Sequence, residues 1–479
     1  MSEITRKELL TRGAALGIAA MGIKATGAAG SAIAAPIPKR ARDAERLPWQ
    51  MFNCPAWNEG VMFAFGSSAN SAAEIGEVME LVRVVREQTG DPVSPTVGDF
   101  DILVRTWQRL AGRLEHRATA AAAAGHRVSA RQQYLRASSY RAQALFFILG
   151  TSTPGSEVAC FRACEADWLN AIALWDVPVV QSTIPYNGLT MPVYLFRPAD
   201  DGRARPTVIV CNGSDGQNVD LLAEGIGAAL DRGYNAVTIE APGQMTLLFE
   251  QQQVMQSNWA PIISATTAWL GARSDVDASH IVAIGISLLG MVLPSAGTAS
   301  TGLAAMVLEP GAYSLPAAWT DQGSVKAVQS VLDAPAKYQR EVAVGVNAGL
   351  KDAWNSMPHV DQFTVSKRTE LYTQNALLSA RRGQPPSDYY GVIKAILNFQ
   401  YQSVLPTVNI PTYVTVNQLD EFFGPQGEKV LGMLTSLTKD QKYRRSLTMA
   451  TGTQFHDQPL GPQASQEFIF DWLDTVLGV

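Results

Sequence analysis

The stretch His-Ile-Val-Ala-Ile-Gly-Ile-Ser-Leu-Leu-Gly at residues 280–290 decides the fold of this 479-residue chain. Its first seven residues are almost continuously apolar, which is the pattern of a β-strand that is buried on both faces. Ser287 and a second apolar run follow at once and predict a sharp turn into a helix. A strand that leads directly into a helix is the repeating unit of a parallel sheet covered by helices.

Similar units lie on both sides of this stretch. Residues 179–198 form a predicted hairpin whose turn is Asn187-Gly188, because Asn-Gly favours the left-handed conformations of a two-residue turn. Further apolar strands that alternate with helices are predicted at 207–211, 235–240, 303–309, 411–416 and 446–450. A final helix is predicted at 463–477. This alternation predicts the α/β class, with a doubly wound, mostly parallel sheet.

Two regions depart from the alternation. Residues 37–178 place apolar residues at helical spacing without a strand pattern, so we expect an N-terminal helical domain ahead of a sheet domain at 179–479. Within the sheet domain, residues 312–405 are mostly helical and predict an insertion that covers the strand ends as a lid. A capping box at residues 129–132 predicts the start of one N-terminal helix.

Residues 1–36 have the composition of an export leader. A basic start that contains Arg6 and Lys7 precedes an Ala/Gly-rich stretch and an Ala-Ile-Ala cleavage pattern at residues 32–34. The start resembles a twin-arginine signal in which Lys7 replaces the second arginine. If the leader is functional, we expect a secreted or periplasmic protein. The alternative is a disordered tail on a cytoplasmic protein.

Composition excludes several classes of protein. Hydrophobic residues make up 47% and charged residues 17% of the chain, which excludes a disordered or fibrous protein. A net charge of −5 argues against nucleic acid as a partner. The long uncharged run at 281–308 is interrupted by Ser, Thr, Gly and Pro, so no stable membrane insertion is expected. Four cysteines are too few for a disulfide scaffold, and buried thiols are expected. The composition favours a soluble globular protein.

Ser287 stands where a nucleophile would be exposed, at the junction of the strand and the helix. Its hydroxyl would project from the carboxyl edge of the sheet, and the Leu288 N–H would face a developing oxyanion. Gly285 fits the tight turn, but Leu289 replaces the glycine that usually follows two residues after the serine. That bulky side chain must be housed where the turn packs tightly. Taken alone, this motif also fits an alternative to a nucleophile, in which Ser287 only caps the helix that follows.

The other groups that a nucleophilic serine needs follow in the expected chain order of serine, acid and histidine. His456 comes after the last predicted strand and is the candidate base. Asp420 follows the strand at 411–416 and is the candidate acid, with Glu421 as the alternative. The glycine-rich loop at 212–216 follows an early strand and is a candidate source of a second oxyanion donor.

Three further polar residues are candidates for contact with substrate or for support of the site. Glu309 ends the strand beside the serine strand, so it either faces the pocket as a second carboxylate or forms a structural hydrogen bond. Gln244 either binds substrate or holds its own loop in place. Asp215 either bonds a substrate or serves as an ordinary turn residue before Gly216.

The combination of motifs resembles the α/β-hydrolase family of fermentation–respiration-switch-type esterases. The segments that carry the resemblance are 125–144, 211–216, 240–244, 284–290, 308–313, 455–459 and 470–474. The resemblance implies the α/β-hydrolase fold with an N-terminal helical cap domain, frequent homodimers, and no metal or organic cofactor. It implies Ser287 as nucleophile, Asp420 as acid and His456 as base. It also implies an oxyanion hole at the N–H groups of Ser214 and Leu288, beside Gly213.

These features favour a serine hydrolase that acts through an acyl-enzyme. The resemblance implies a substrate with an ester, or with a C–C bond next to a carbonyl as in β-diketones. The enclosing helical cap and the few charges expected in the pocket favour a bulky, mostly apolar small molecule. One alternative is a non-hydrolytic cyclase, lyase or acyl transferase of secondary metabolism on the same fold. The other alternative is a ligand-binding protein without catalysis.

Overall fold

A computed structural model describes residues 49–479 of the chain. The leader predicted at residues 1–36 lies outside the described residues. Among the helices of residues 49–479, none is both long enough and apolar enough to cross a membrane.

The centre of the molecule is an eight-stranded sheet with strand order β1-β2-β4-β3-β5-β6-β7-β8. The strands are β1 Val180–Tyr186, β2 Leu189–Phe196, β3 Arg205–Cys211, β4 Asn235–Ile239, β5 Val276–Ile286, β6 Ala305–Glu309, β7 Thr412–Asn417 and β8 Lys442–Leu447. β1 and β2 form an antiparallel hairpin, β2 is antiparallel to β4, and the remaining neighbours are parallel. The predicted doubly wound, mostly parallel sheet is confirmed.

The hairpin turn and most strands form as their residues predict. Asn187 and Gly188 have φ values of 47° and 77°, the left-handed pair that a two-residue turn requires. The last strand differs from the prediction, because β8 covers 442–447 rather than 446–450. β8 is an edge strand whose Lys, Tyr and Arg side chains are largely exposed, so a search for apolar runs misplaces it.

Five longer helices precede the sheet: α1 Pro55–Gly66, α2 Ile75–Thr89, α3 Val97–Ala123, α4 Arg127–Phe147 and α5 Glu157–Ile172. α3 begins at a capping box in which the Thr96 and Asp99 side chains each accept a backbone N–H of the other residue. The capping box predicted at 129–132 is wrong, because α4 already begins at Arg127 and its N-cap, His126, makes no side-chain cap bond.

The remaining helices flank the sheet or lie between β6 and β7. The flanking helices are α6 Ile226–Asp231, α7 Met245–Phe249, α8 Ala260–Gly271, α9 Leu288–Val292, α16 Gly427–Met433 and α17 Pro462–Leu477. Those between β6 and β7 are α10 Leu315–Ala318, α11 Gln322–Gln329, α12 Ala336–Trp354, α13 His359–Thr369, α14 Gln374–Ala380 and α15 Tyr389–Ile396.

Two hydrophobic cores cover the two faces of the sheet. Along β5, Ile281 and Ala283 belong to the core that includes the α1–α5 region and the helices between β6 and β7. Val282 and Ile284 point to the opposite core, which α17 closes. This alternation follows the two-residue period of a strand. The parallel strands β3, β5, β6 and β7 end at one edge of the sheet, where ligands bind in open α/β sheets.

Candidate active site

Ser287 occupies a sharp turn between β5 and α9. Its backbone has φ 52° and ψ −120°, a strained conformation for a residue with a side chain. Its N–H donates to the backbone oxygen of Glu309 at 2.7 Å, which fixes the turn to the end of β6. The Ser287 side chain is partly exposed. A serine on a strained strand-to-helix turn is the geometry of a nucleophile elbow.

Two glycines make the elbow possible, and Leu289 does not obstruct it. A Cβ on Gly285 would lie 2.4 Å from the Leu289 backbone oxygen, and a Cβ on Gly290 would lie 2.3 Å from the Pro310 oxygen. The close approach to β6 therefore occurs at Gly290, one residue later than the motif places its second glycine. Leu289 is fully buried in the core instead. This explains why the sequence tolerates leucine there.

A chain of hydrogen bonds joins the three candidate catalytic residues. Ser287 Oγ lies 2.8 Å from Nε2 of His456, and Nδ1 of His456 lies 3.2 Å from Oδ1 of Asp420. The same Oδ1 accepts the N–H groups of Phe422 and Phe423 at 2.9 and 2.8 Å. These two bonds hold the carboxylate in the orientation that meets the imidazole.

The structure also distinguishes between the two candidate acids. Glu421 contacts His456 only at the backbone, where its Oε2 accepts the His456 N–H at 3.4 Å. Burial and the nearby carboxylates of Glu59 and Asp420 raise the pKa of Glu421 well above its ordinary value. A carboxyl with a raised pKa that does not touch the ring is poorly suited to orient an imidazolium, so the geometry favours Asp420.

The loop at 212–216 lies directly against the serine. A Cβ on Gly213 would lie 2.6 Å from the Ser287 Cβ, so glycine is needed for this approach. The Gly213 N–H donates to Oδ1 of Asn212 at 2.8 Å. The N–H groups of Ser214 and Leu288 donate to no other described residue, so they are the unengaged donors beside Ser287. Two such donors are what an oxyanion hole needs.

The other predicted supporting residues have clear partners. Buried Gln244 donates from Nε2 to the backbone oxygens of Asn212 at 2.5 Å and Gly213 at 3.0 Å, so it fixes the loop at 212–216. Glu309 lies 2% exposed and accepts the Ser465 hydroxyl of α17 at 2.9 Å. Burial raises the pKa of Glu309 to about 7.

Asp215 is paired with α13, a contact that the sequence did not reveal. Its carboxylate accepts from the Arg368 guanidinium, lies 3.6 Å from Lys367 Nζ and accepts the Ser214 hydroxyl at 2.7 Å. Burial alone would raise the pKa of Asp215, but Arg368 and Lys367 bring it below its ordinary value. In the sequence, only the adjacent cations Lys367 and Arg368 stand out in this region, and nothing in the sequence indicates that they pair with Asp215.

Arg368 also contacts the loop that carries the acid. Its guanidinium lies 4.5 Å from the centre of the Phe422 ring, and that ring lies 4.5 Å from the His456 ring. Glu59 of α1 lies 3.9 Å from the same guanidinium. Arg368 therefore links the loop at 212–216 with the ring that packs on His456.

Within residues 49–479, no group of three or more His, Cys, Asp or Glu side chains is arranged to hold a metal ion.

Comparison with curated proteins finds fungal relatives. No family model matches the chain. The chain is 32% identical over 239 residues to Hydrolase ORFZ of Pyricularia oryzae. This alignment covers 47% of the chain and 54% of that protein. The chain is 28% identical over 280 residues to Alpha/beta hydrolase psoB of Aspergillus fumigatus, which covers 56% of this chain and 60% of that protein. The chain thus aligns with little more than half the length of these relatives.

Comparison with solved structures identifies the fold. The 2,6-dihydroxy-pseudo-oxynicotine hydrolase superposes with a TM-score of 0.57 at 18% identity, over 86% of this chain and 96% of that one. AbyA5 superposes with a TM-score of 0.52 at 16% identity, over 78% of this chain and 84% of that one. These structures share the sheet and its flanking helices with the present chain. The chain therefore has the α/β-hydrolase fold, and part of its sequence is similar to fungal proteins that are named hydrolases.

Proposed function

We propose that the protein is a hydrolase that uses Ser287 as a nucleophile and proceeds through an acyl-enzyme. The observation that carries the proposal is the hydrogen-bond chain from Ser287 Oγ through His456 to Asp420, beside two unengaged backbone N–H groups. This arrangement supplies a nucleophile, a base, a group that orients the base and a site for negative charge. All four are required for acyl transfer.

The first half-reaction follows from this geometry. An Nδ1–H that donates to Asp420 leaves Nε2 of His456 free to accept the Ser287 hydroxyl proton at 2.8 Å. As Oγ attacks the substrate carbonyl, negative charge develops on the carbonyl oxygen, where the N–H groups of Ser214 and Leu288 stabilise it. Nε2 then gives its proton to the leaving group, and the acyl-enzyme remains.

The second half-reaction repeats these roles with water. His456 takes a proton from water, the hydroxide attacks the acyl group, and Ser287 recovers its proton as the acid product leaves. For an ester the leaving group takes the proton from Nε2 and departs as an alcohol. For a β-diketone the enolate that forms as the C–C bond breaks takes this proton and departs as a ketone.

The surroundings of the triad favour a bulky, mostly apolar substrate. The rings of Phe422 and Phe423 pack on His456 at 4.5 and 5.4 Å between centres. Phe146 of α4 lies under the Arg368 guanidinium at 5.8 Å. Aromatic side chains supply most of the contact area in sites for small organic molecules, with a few polar groups that set orientation.

Turnover of a small panel of esters and β-diketones tests the proposal. We expect the wild-type protein to hydrolyse at least one of them and S287A to lose that turnover. In heavy-oxygen water, hydrolysis places one heavy oxygen in the carboxylic acid product. A product that forms without heavy oxygen would indicate cyclisation, elimination or acyl transfer instead. Turnover that persists unchanged in S287A would refute the serine mechanism.

A further inference from the structure

A small polar cavity lies on the α17 side of the nucleophile elbow. This rear chamber is lined by Glu224, Ile286, Glu309, Asp457, Gln458, Pro462 and Gln466. The space open to the centre of a water molecule is about 10 Å³, which is room for one water. None of the mechanistic steps above uses these side chains.

Unpartnered polar atoms surround the rear chamber. Oε2 of Glu309, Oδ1 of Asp457, Nε2 of Gln458 and Oε1 of Gln466 are buried and have no hydrogen-bond partner among the described residues. The side chains of Glu309, Gln458 and Gln466 belong to residues that are only 2–3% exposed. An unpaired polar atom in a buried site is unfavourable, whereas a buried water commonly makes about three hydrogen bonds. The chamber is therefore built to hold water.

Asp457 connects the rear chamber to the catalytic histidine. Its Oδ2 lies 3.3 Å from Nε2 of His456, the same nitrogen that lies 2.8 Å from Ser287 Oγ. Asp457 and Gln458 both have left-handed backbones, with φ values of 53° and 47°. Two such residues in succession, neither of them glycine, are strained, and strain of this kind collects at functional sites.

We propose that Asp457 and the rear chamber form a proton relay that balances the charge on His456 during acyl transfer by Ser287. The inference rests on the proposed function. When Ser287 attacks, its hydroxyl proton moves to Nε2 of His456, and the carboxyl proton of Asp457 passes through the chamber water to the Glu309 carboxylate. The new imidazolium then faces a carboxylate. When Nε2 protonates the leaving group, Glu309 returns its proton to Asp457.

The electrostatics of the rear chamber suit this exchange. Burial raises the pKa of Asp457 well above its ordinary value, and the neighbouring carboxylates of Glu224 and Asp420 add to the effect. Glu309, whose pKa burial raises to about 7, can accept and return a proton near neutral pH at little cost in free energy. The titratable groups that face Asp457 are Glu224 before α6, Glu309 at the end of β6, Asp420 and Glu421 after β7, and His456. From α17, the groups that face Glu309 are uncharged: Ser465, whose hydroxyl donates to it, and Gln466.

The relay is tested by the rate at which a fluorophosphonate labels Ser287, followed by intact mass across pH. We expect D457N to label about ten- to a hundredfold more slowly, because the imidazolium that forms on His456 no longer faces a compensating carboxylate. E309Q should label more slowly by a smaller factor. The double variant should match D457N, because both changes interrupt one path.

A matched control is Glu165→Gln. Glu165 is also a carboxyl whose pKa desolvation raises, to about 8, but it bonds Tyr194 and not the histidine loop. E165Q should label at the wild-type rate. Labelling of D457N at the wild-type rate, or independent and additive effects of D457N and E309Q, would overturn the relay alone. If D457N does not fold, an unchanged rate in E309Q overturns it. Wild-type protein that is not labelled at all would overturn the proposed function and the relay with it.

Discussion

Replacement of Arg368 by glutamine tests whether α13 supports catalysis from outside the triad. The substitution removes the guanidinium that pairs with Asp215 and lies 4.5 Å from the Phe422 ring centre. Asp215 would retain the Ser214 hydroxyl and one cation, Lys367, whose Nζ lies 3.6 Å away. Asp215 follows Ser214 in the chain, and Phe422 packs on His456, so both sides of the candidate active site lose support.

The expected loss of stability follows from the burial of the ion pair. Removal of one partner from a buried pair costs about 3–5 kcal/mol. The side chains of Arg368 and Asp215 are 27% and 18% exposed, so we expect about 3 kcal/mol, the lower end of that range. The expected loss of reactivity is about 10–100-fold in labelling rate. This is less than the 10²–10³-fold effect of deleting an oxyanion donor, because the Ser214 N–H is displaced rather than removed.

Arg381→Gln is the matched control. Arg381 lies between β6 and β7 like Arg368, is 12% exposed, and pairs with Glu157 at 2.7 Å, away from the serine and histidine loops. R381Q should lose at least as much stability as R368Q in urea titrations, because its ion pair is the more deeply buried of the two. Only R368Q should label slowly with a fluorophosphonate at a temperature where both variants are folded. Equal labelling rates for R368Q and R381Q would show that Arg368 does not support the reactivity of Ser287.

Three further substitutions test the elbow and the buried acid beneath it. Gly290→Ala should prevent native packing and lower the thermal midpoint sharply, because its Cβ would lie 2.3 Å from the Pro310 oxygen; an unchanged midpoint would contradict this. Leu289→Ala should cost about 3–5 kcal/mol in denaturant unfolding without faster labelling, because the side chain is fully buried; a gain in reactivity would show that leucine obstructs the elbow. Because folding raises the pKa of Glu309 to about 7, its contribution to stability is present at acidic pH and is lost as pH rises through that value. Glu309→Gln should therefore be more stable relative to wild type at pH above 7 than at about pH 5, and a pH-independent difference would contradict the assignment.

Much of the fold can be predicted because buried parallel strands are continuous apolar runs. Residues 280–286 read directly as the end of β5, and the order of strands places the ends of β3, β5 and β7 at one edge. That edge brings Ser287, Asp420 and His456 into one hydrogen-bond chain, as their order along the sequence suggested. Edge strand β8 was misplaced because its residues are polar and exposed.

The contacts across the site could not be predicted, because they join segments that are far apart in the chain. Arg368 and Asp215 are 153 positions apart, and neither lies in a motif that indicates the other. Leu289 stands where the nucleophile-elbow motif has its second glycine. In the structure, however, the close contact with the end of β6 is made by Gly290. Asp457 follows His456 directly, but only the left-handed backbone shows that its carboxyl returns to the imidazole.

Intact-mass analysis after fluorophosphonate treatment tests directly whether Ser287 is a nucleophile that His456 activates. The wild-type protein should gain one adduct on Ser287, and both S287A and H456A should gain none, because the serine is activated only through Nε2 of His456. Surface variants S279A and H280A, which change a serine and a histidine away from the triad, should label like wild type. If the folded wild-type protein is not labelled, or if an adduct still forms in S287A, Ser287 is not the activated nucleophile.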